Sequence, residues 1–170
     1  MGLLRNRNDV PAGRRFQMHE KLVSIGDDAW IEDEQGEKVY KVDGKALRAR
    51  DTYKLEDRGG NEVAKIQEKK LSVRDKMKVE RDGRTLATVH KALVGIRDRY
   101  DIDVENGEDL KARGNVLQHE YEIKRDDQVI ASVSKKWFRV RDTYGVEVDD
   151  DADSVLVLAV TVAVDALSRG

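Results

Sequence analysis

Apolar and polar residues alternate with a period of two along most of the chain, as in Tyr53-Lys54-Leu55 and Val63-Ala64-Lys65-Ile66. That period sends successive side chains to opposite faces of a strand, one face buried and one solvated. Between these runs stand the clusters DEQGE, DRGGN, RDGR, ENGED and RDDQ, whose Gly, Asn and Asp favour tight reversals. The runs also repeat. Outside the turn clusters, Arg-Asp occurs at 50–51, 74–75, 97–98 and 141–142, at spacings of 24, 23 and 44 residues. Each pair follows an apolar-any-apolar triplet and precedes TYKL, KMKV, RYDI or TYGV. Inside the long gap HEYEI, from His119 to Ile123, restores the second half of the unit, and upstream WIEDEQGEKVYKV matches KLEDRGGNEVAKI at an offset of 24. A unit of about 23 residues thus recurs six times, each unit a hairpin. Twelve or so short antiparallel strands must deal with their edges, and closure into a barrel does so. A barrel of that width is not filled by strand side chains alone and needs a plug.

The segment DSVLVLAVTVAVDAL, Asp153 to Leu167, supplies one. Only Thr161 and Asp165 interrupt Val155 to Leu167. As a helix it would extend roughly 20–24 Å, short of the ~30 Å hydrocarbon core of a bilayer, so it is not expected to be transmembrane. Its Val and Thr favour a strand. Against that, acids precede it where they stabilise a helix N-terminus, with Asp153 or Ser154 as N-cap, and an all-round apolar helix suits burial on every side. The expected fold is mainly β: a closed antiparallel barrel of about twelve strands around a buried hydrophobic C-terminal α-helix. Residues 1–14 are expected to form a flexible polar tail and 15–170 a single barrel domain, with the helix at about 153–168.

Charge narrows the function. Among 170 residues, 32 are basic and 34 acidic, a net charge of −2 with both signs interspersed. A nucleic-acid partner would call for a basic excess and is not expected. There are no cysteines, which excludes disulfides and thiolate chemistry. The first residues lack an apolar signal-peptide core, and Asn6 stands where myristoylation of Gly2 would want Ser or Thr. The expected location is therefore cytoplasmic.

No catalytic constellation emerges. His19, His90 and His119 show no metal-ligand spacing, and neither a G-x-S-x-G elbow nor a phosphate-binding Gly loop is present. The chain is expected to be no enzyme, to need no cofactor and to be a monomer. Asp149, Asp151 and Asp153 have the D-x-D-x-D opening of a calcium loop. Ser154 at the sixth place and Val160 at the twelfth exclude an EF-hand, which leaves helix capping as the favoured role and a looser calcium site as the lesser one. The Arg-Asp pairs read as local ion pairs at strand junctions, each contributing at most ~1 kcal/mol when exposed.

The lysines are more suggestive. Lys45, Lys69 and Lys136 lie five residues before the Arg of an Arg-Asp pair and Lys91 six before, with Lys70 and Lys135 adjacent. Matched positions in successive hairpins project toward one end of a barrel, giving a basic rim. With Arg139 these form a candidate phosphate or headgroup site; a merely solvated lysine face that guards against edge pairing is the alternative. Trp137 and Phe138 follow directly. Strand alternation puts one in the core and one outside, either as a membrane-interface side chain or as cover over a neighbouring strand.

The stretches KLVSIGDDAWIEDEQGEKVYKVDGKAL, LEDRGGNEVAKI, HEYEI and SKKWFRVRDTYGVEV, with the apolar C-terminal segment, make the chain resemble the LURP-one-related proteins. That family shares the tubby C-terminal-like fold with phospholipid scramblases. The resemblance runs from about Phe16 to Leu167. It implies a twelve-stranded barrel around a hydrophobic helix, and a peripheral binder of anionic phospholipid or phosphoinositide headgroups. A protein-interaction module without a lipid ligand is the first alternative, and a calcium-responsive, scramblase-related membrane protein the second.

Overall fold

The structure, a computed structural model, describes residues 14–19, 28–43, 52–69, 76–92, 99–138 and 141–168. Twelve strands run in chain order: β1 (Arg14–His19), β2 (Asp28–Asp33), β3 (Lys38–Asp43), β4 (Thr52–Asp57), β5 (Glu62–Lys69), β6 (Lys76–Arg81), β7 (Arg84–Lys91), β8 (Arg99–Val104), β9 (Leu110–Asn115), β10 (Glu120–Arg125), β11 (Gln128–Ser134) and β12 (Thr143–Val148). Each pairs antiparallel with its neighbours, and β1 closes on β12 to form a barrel. One α-helix, α1 (Ser154–Ser168), follows. This is the expected architecture. The first described residue, Arg14, already stands in β1 opposite Val148.

The repeat is physical. In the β2–β3 turn, Asp33 Oδ1 accepts from the Gln35 and Glu37 amides, each at 2.9 Å. Twenty-four residues on, Asp57 Oδ1 accepts from the Gly59 and Asn61 amides, also at 2.9 Å. Both turns need a left-handed residue, Gly36 at φ 78° and Gly60 at φ 81°, which glycine adopts without a Cβ clash. Bulges recur in step at Ile31/Glu32, Leu55/Glu56 and Val79/Glu80. Tyr53, Met77, Tyr100, Tyr121 and Tyr144, the matched positions on alternate strands, are all buried and point inward.

Helix α1 threads the barrel and packs against β5, β6, β7 and β12. Val157, Leu158, Ala159, Val160, Val162, Ala163 and Val164 are at most 1% exposed. Fully burying one Val or Leu stabilises by about 1.5–3 kcal/mol, enough over this helix to override its strand-favouring composition. The helix starts as expected: the Leu156 amide donates to Asp153 Oδ1 at 3.2 Å, which makes Asp153 the N-cap.

Candidate functional site

Antiparallel topology sends the connections alternately to two ends of the barrel. The near end holds the connections 34–37, 58–61, 82–83, 105–109, 126–127 and 149–153. Five of these six carry acids, and Arg58 is their one basic residue. At the far end Lys69 closes β5, Lys91 closes β7, and Lys135 and Lys136 follow β11; all four are exposed. Four of the seven residues singled out thus share one end of the barrel. Lys45, Lys70 and Arg139 lie outside the described residues.

Lys135 to Trp137 form a 3-10 turn. Its start is fixed by Ser134, whose hydroxyl donates to Glu120 Oε1 at 3.0 Å and accepts from the Lys136 amide at 3.1 Å. The Lys135 amide donates to the same Glu120 oxygen. Because the turn breaks strand alternation, Trp137 and Phe138 do not divide between core and exterior; both are half-buried and cover the outer face of β12. Gly145 makes this possible. A Cβ built there would lie 2.7 Å from Trp137 Cε3 and 2.8 Å from Phe138 Cε2. The Arg15 guanidinium sits 5.3 Å from the centre of the Trp137 ring and 3.4 Å from Glu147. The plate explains why every residue of β12 is buried. Trp137 therefore serves as cover over a strand.

Register exposes a feature that along-chain spacing missed. On the outer wall at the far end, Lys69 of β5 faces Lys76 of β6, and Lys78 lies one row along, opposite Gln67. The Lys69 amine is held below its ordinary value, chiefly by its hydrogen-bonding contact with Lys78 and then by partial desolvation. The charges of Lys78 and Lys76 add to this, while Glu80 opposes it. Lys76 and Lys78 fall in the KMKV of the repeat, at positions where its pattern allows any residue, and only the β5–β6 pairing brings them to Lys69.

Inside the far end lies a buried polar group the sequence left unassigned. His119 stacks on Tyr144, ring centres 4.1 Å apart and 9° from parallel. Its Nδ1 lies 3.9 Å from Asp165 Oδ1, with both side chains at most 8% exposed. Burial raises the Tyr121 phenol well above its ordinary pKa, and the Asp165 carboxylate adds to the rise while a hydrogen bond with Thr161 opposes it. The expectation that the helix meets only apolar neighbours is corrected here. Thr161 and Asp165 sit on a polar patch enclosed by the wall.

At the near end Asp149 Oδ1 accepts from the Asp151 amide at 3.2 Å, and Asp153 Oδ2 meets Arg81 at 3.4 Å. These carboxylates serve the turn and the helix cap, and no cluster of three metal-ligating side chains occurs among the described residues. Of the four Arg-Asp pairs of the repeat only the last is described: Arg141 and Asp142 lie 3.9 Å apart on the surface. No helix among the described residues is long and apolar enough to cross a membrane.

The LURP-one-related family model matches residues 14–165. Among solved structures, the X-ray structure of a protein from Arabidopsis thaliana superposes with a TM-score of 0.69 at 17% identity, covering 99% of this chain and 100% of that one. No curated protein matches the sequence.

Proposed function

Because the chain belongs to the LURP-one-related family and carries exposed lysines at the far end of its barrel, we propose that it is a non-enzymatic peripheral binder of anionic phospholipid headgroups. The exposed cluster of Lys69, Lys91, Lys135 and Lys136 at one barrel end carries this reading. A net charge of −2 spread evenly would give an anionic surface no reason to hold the protein. The exposed lysines that the described residues place at one end give an anionic bilayer a face to attract. Leu117, in the turn between β9 and β10 at the lysine end, is 63% exposed and is the one exposed large apolar side chain among the described residues. It offers an apolar contact for the interfacial layer. The alternative of a protein-docking module calls for a contiguous apolar patch, and among the described residues Leu117 alone is an exposed large apolar side chain.

Vesicle sedimentation tests the reading. The intact protein should pellet with phosphatidylserine vesicles at low salt and leave them as salt screens the contacts. Lys135→Glu with Lys136→Glu should weaken association by more than about tenfold, since each juxtamembrane lysine contributes about 1 kcal/mol. Arg58→Glu with Arg84→Glu, at the acidic end, should change it little. Protein left wholly in the supernatant at low salt would overturn the proposal.

A further inference from the structure

Most of the outer wall balances its charges across strands. Lys41 meets Glu56 at 3.2 Å, Arg15 meets Glu147 at 3.4 Å, and Lys65 stands opposite Glu80. Where basic residues face each other, an acid stands beside at least one. Lys54 opposite Lys65 has Glu62 at 4.0 Å, and Arg99 opposite Arg113 has Asp101 at 3.5 Å. The Lys69–Lys76–Lys78 triad departs from this rule. None of the three has a carboxylate within 4 Å among the described residues. Glu80, opposite Lys65, acts on Lys69 only as the smallest contribution. His90, which faces Lys76 across the β6–β7 ladder, is taken by Asp103 at 3.3 Å. Like charges in register weaken a sheet. The register sets Lys69 directly against Lys76 with Lys78 one row along, and the nearness of Lys78 and Lys76 is what lowers the Lys69 value.

We infer that Lys69, Lys76 and Lys78 form a binding site for a phosphomonoester dianion, carried either by a phosphorylated lipid headgroup or by a soluble phosphate. Three ammonium groups on two adjacent strands present point charges from one side, the arrangement by which lysine holds phosphate. The site lies on an open wall, so a ligand can reach it while staying attached to a larger body. It adjoins the end carrying Lys91, Lys135 and Lys136. The inference rests on the headgroup reading for its biological ligand, and on the triad's geometry alone for its chemistry.

The test has a soluble arm and a vesicle arm, both with the whole chain. In the first, thermal melting is followed against inorganic phosphate and inositol trisphosphate at fixed ionic strength. The melting temperature should rise saturably, more with inositol trisphosphate, and the response should vanish in Lys69→Ala with Lys78→Ala. Lys54→Ala should respond as wild type. In the second, vesicles with phosphorylated inositol lipid are compared with phosphatidylserine vesicles of equal surface charge. Wild type should prefer the former by roughly thirtyfold, the worth of two lysines, and the double variant should bind both alike. Saturable soluble binding with no sedimentation on either vesicle keeps the site and ends the membrane reading. Phosphatidylserine binding lost in the Lys135/Lys136 reversal, with no phosphate response in wild type, keeps that reading and ends the site.

Discussion

Single side chains set the local geometry of this barrel, and the turn aspartates show it best. The Asp57 carboxylate accepts from two turn amides and from the Asn61 side chain. These bonds, the Asn61 amide first, hold it below the ordinary carboxylate value. A depressed folded-state value means stability that is present above the unfolded pKa and lost as pH falls through the folded one. Asp57→Ala should therefore destabilise at neutral pH, and wild type and variant should converge in acid, as paired urea melts across the acid range would show. Equal loss at every pH would mean that the turn, and not the ionised carboxylate, is at stake. This aspartate was legible in the sequence because its partner Asp33 lies one repeat upstream. The meeting of Lys76 and Lys78 with Lys69 was not, because the repeat orders positions along the chain while these neighbours lie across a ladder.

Among the elements, β12 is the one with no solvated face. It pairs with β1 and β11, lines the barrel inside and is roofed outside by Trp137 and Phe138. Gly145→Ala puts a methyl group into both rings. Overpacking of this kind costs about 1–3 kcal/mol. The expected outcome is a lower melting temperature with changed tryptophan fluorescence and an unaltered far-ultraviolet spectrum. An unshifted melt would show that the roof lifts at no cost. Period-two reading placed one of these aromatics in the core. It failed because the chain leaves the extended conformation at Ser134, and a 3-10 turn of lysines and tryptophan has no signature in an apolar–polar pattern. The helix succeeded for the opposite reason. Its propensity was misleading, but an all-round apolar segment preceded by acids has few other places to go.

At the scale of the molecule there is one core, and α1 is at its centre. Val160 is wholly buried. Val160→Asp leaves a carboxylate without water, which costs several kcal/mol against a net domain stability of about 5–15 kcal/mol. The variant should be recovered unfolded or aggregated, by circular dichroism and size exclusion, and a soluble folded variant would refute central burial. Barrel closure could be reasoned from the strand number, whereas the meeting of His119 with Asp165 could not. The two are 46 positions apart, one on a turn and one on the helix, and nothing in their local patterns points to the other.

Ring closure by β1 on β12, with the filling helix still to follow, has a consequence for biosynthesis. A ribosome adding about 5–20 residues per second needs on the order of ten seconds to pass from β1 to α1. During that time the nascent sheet has no partner for its first strand and nothing inside its curve. Native structure must wait for residues near 165, so folding begins only once almost all described strands are outside the ribosome. Until then an apolar concave face is open to other chains, and cellular yield should depend on holding chaperones more than on the stability of the finished barrel.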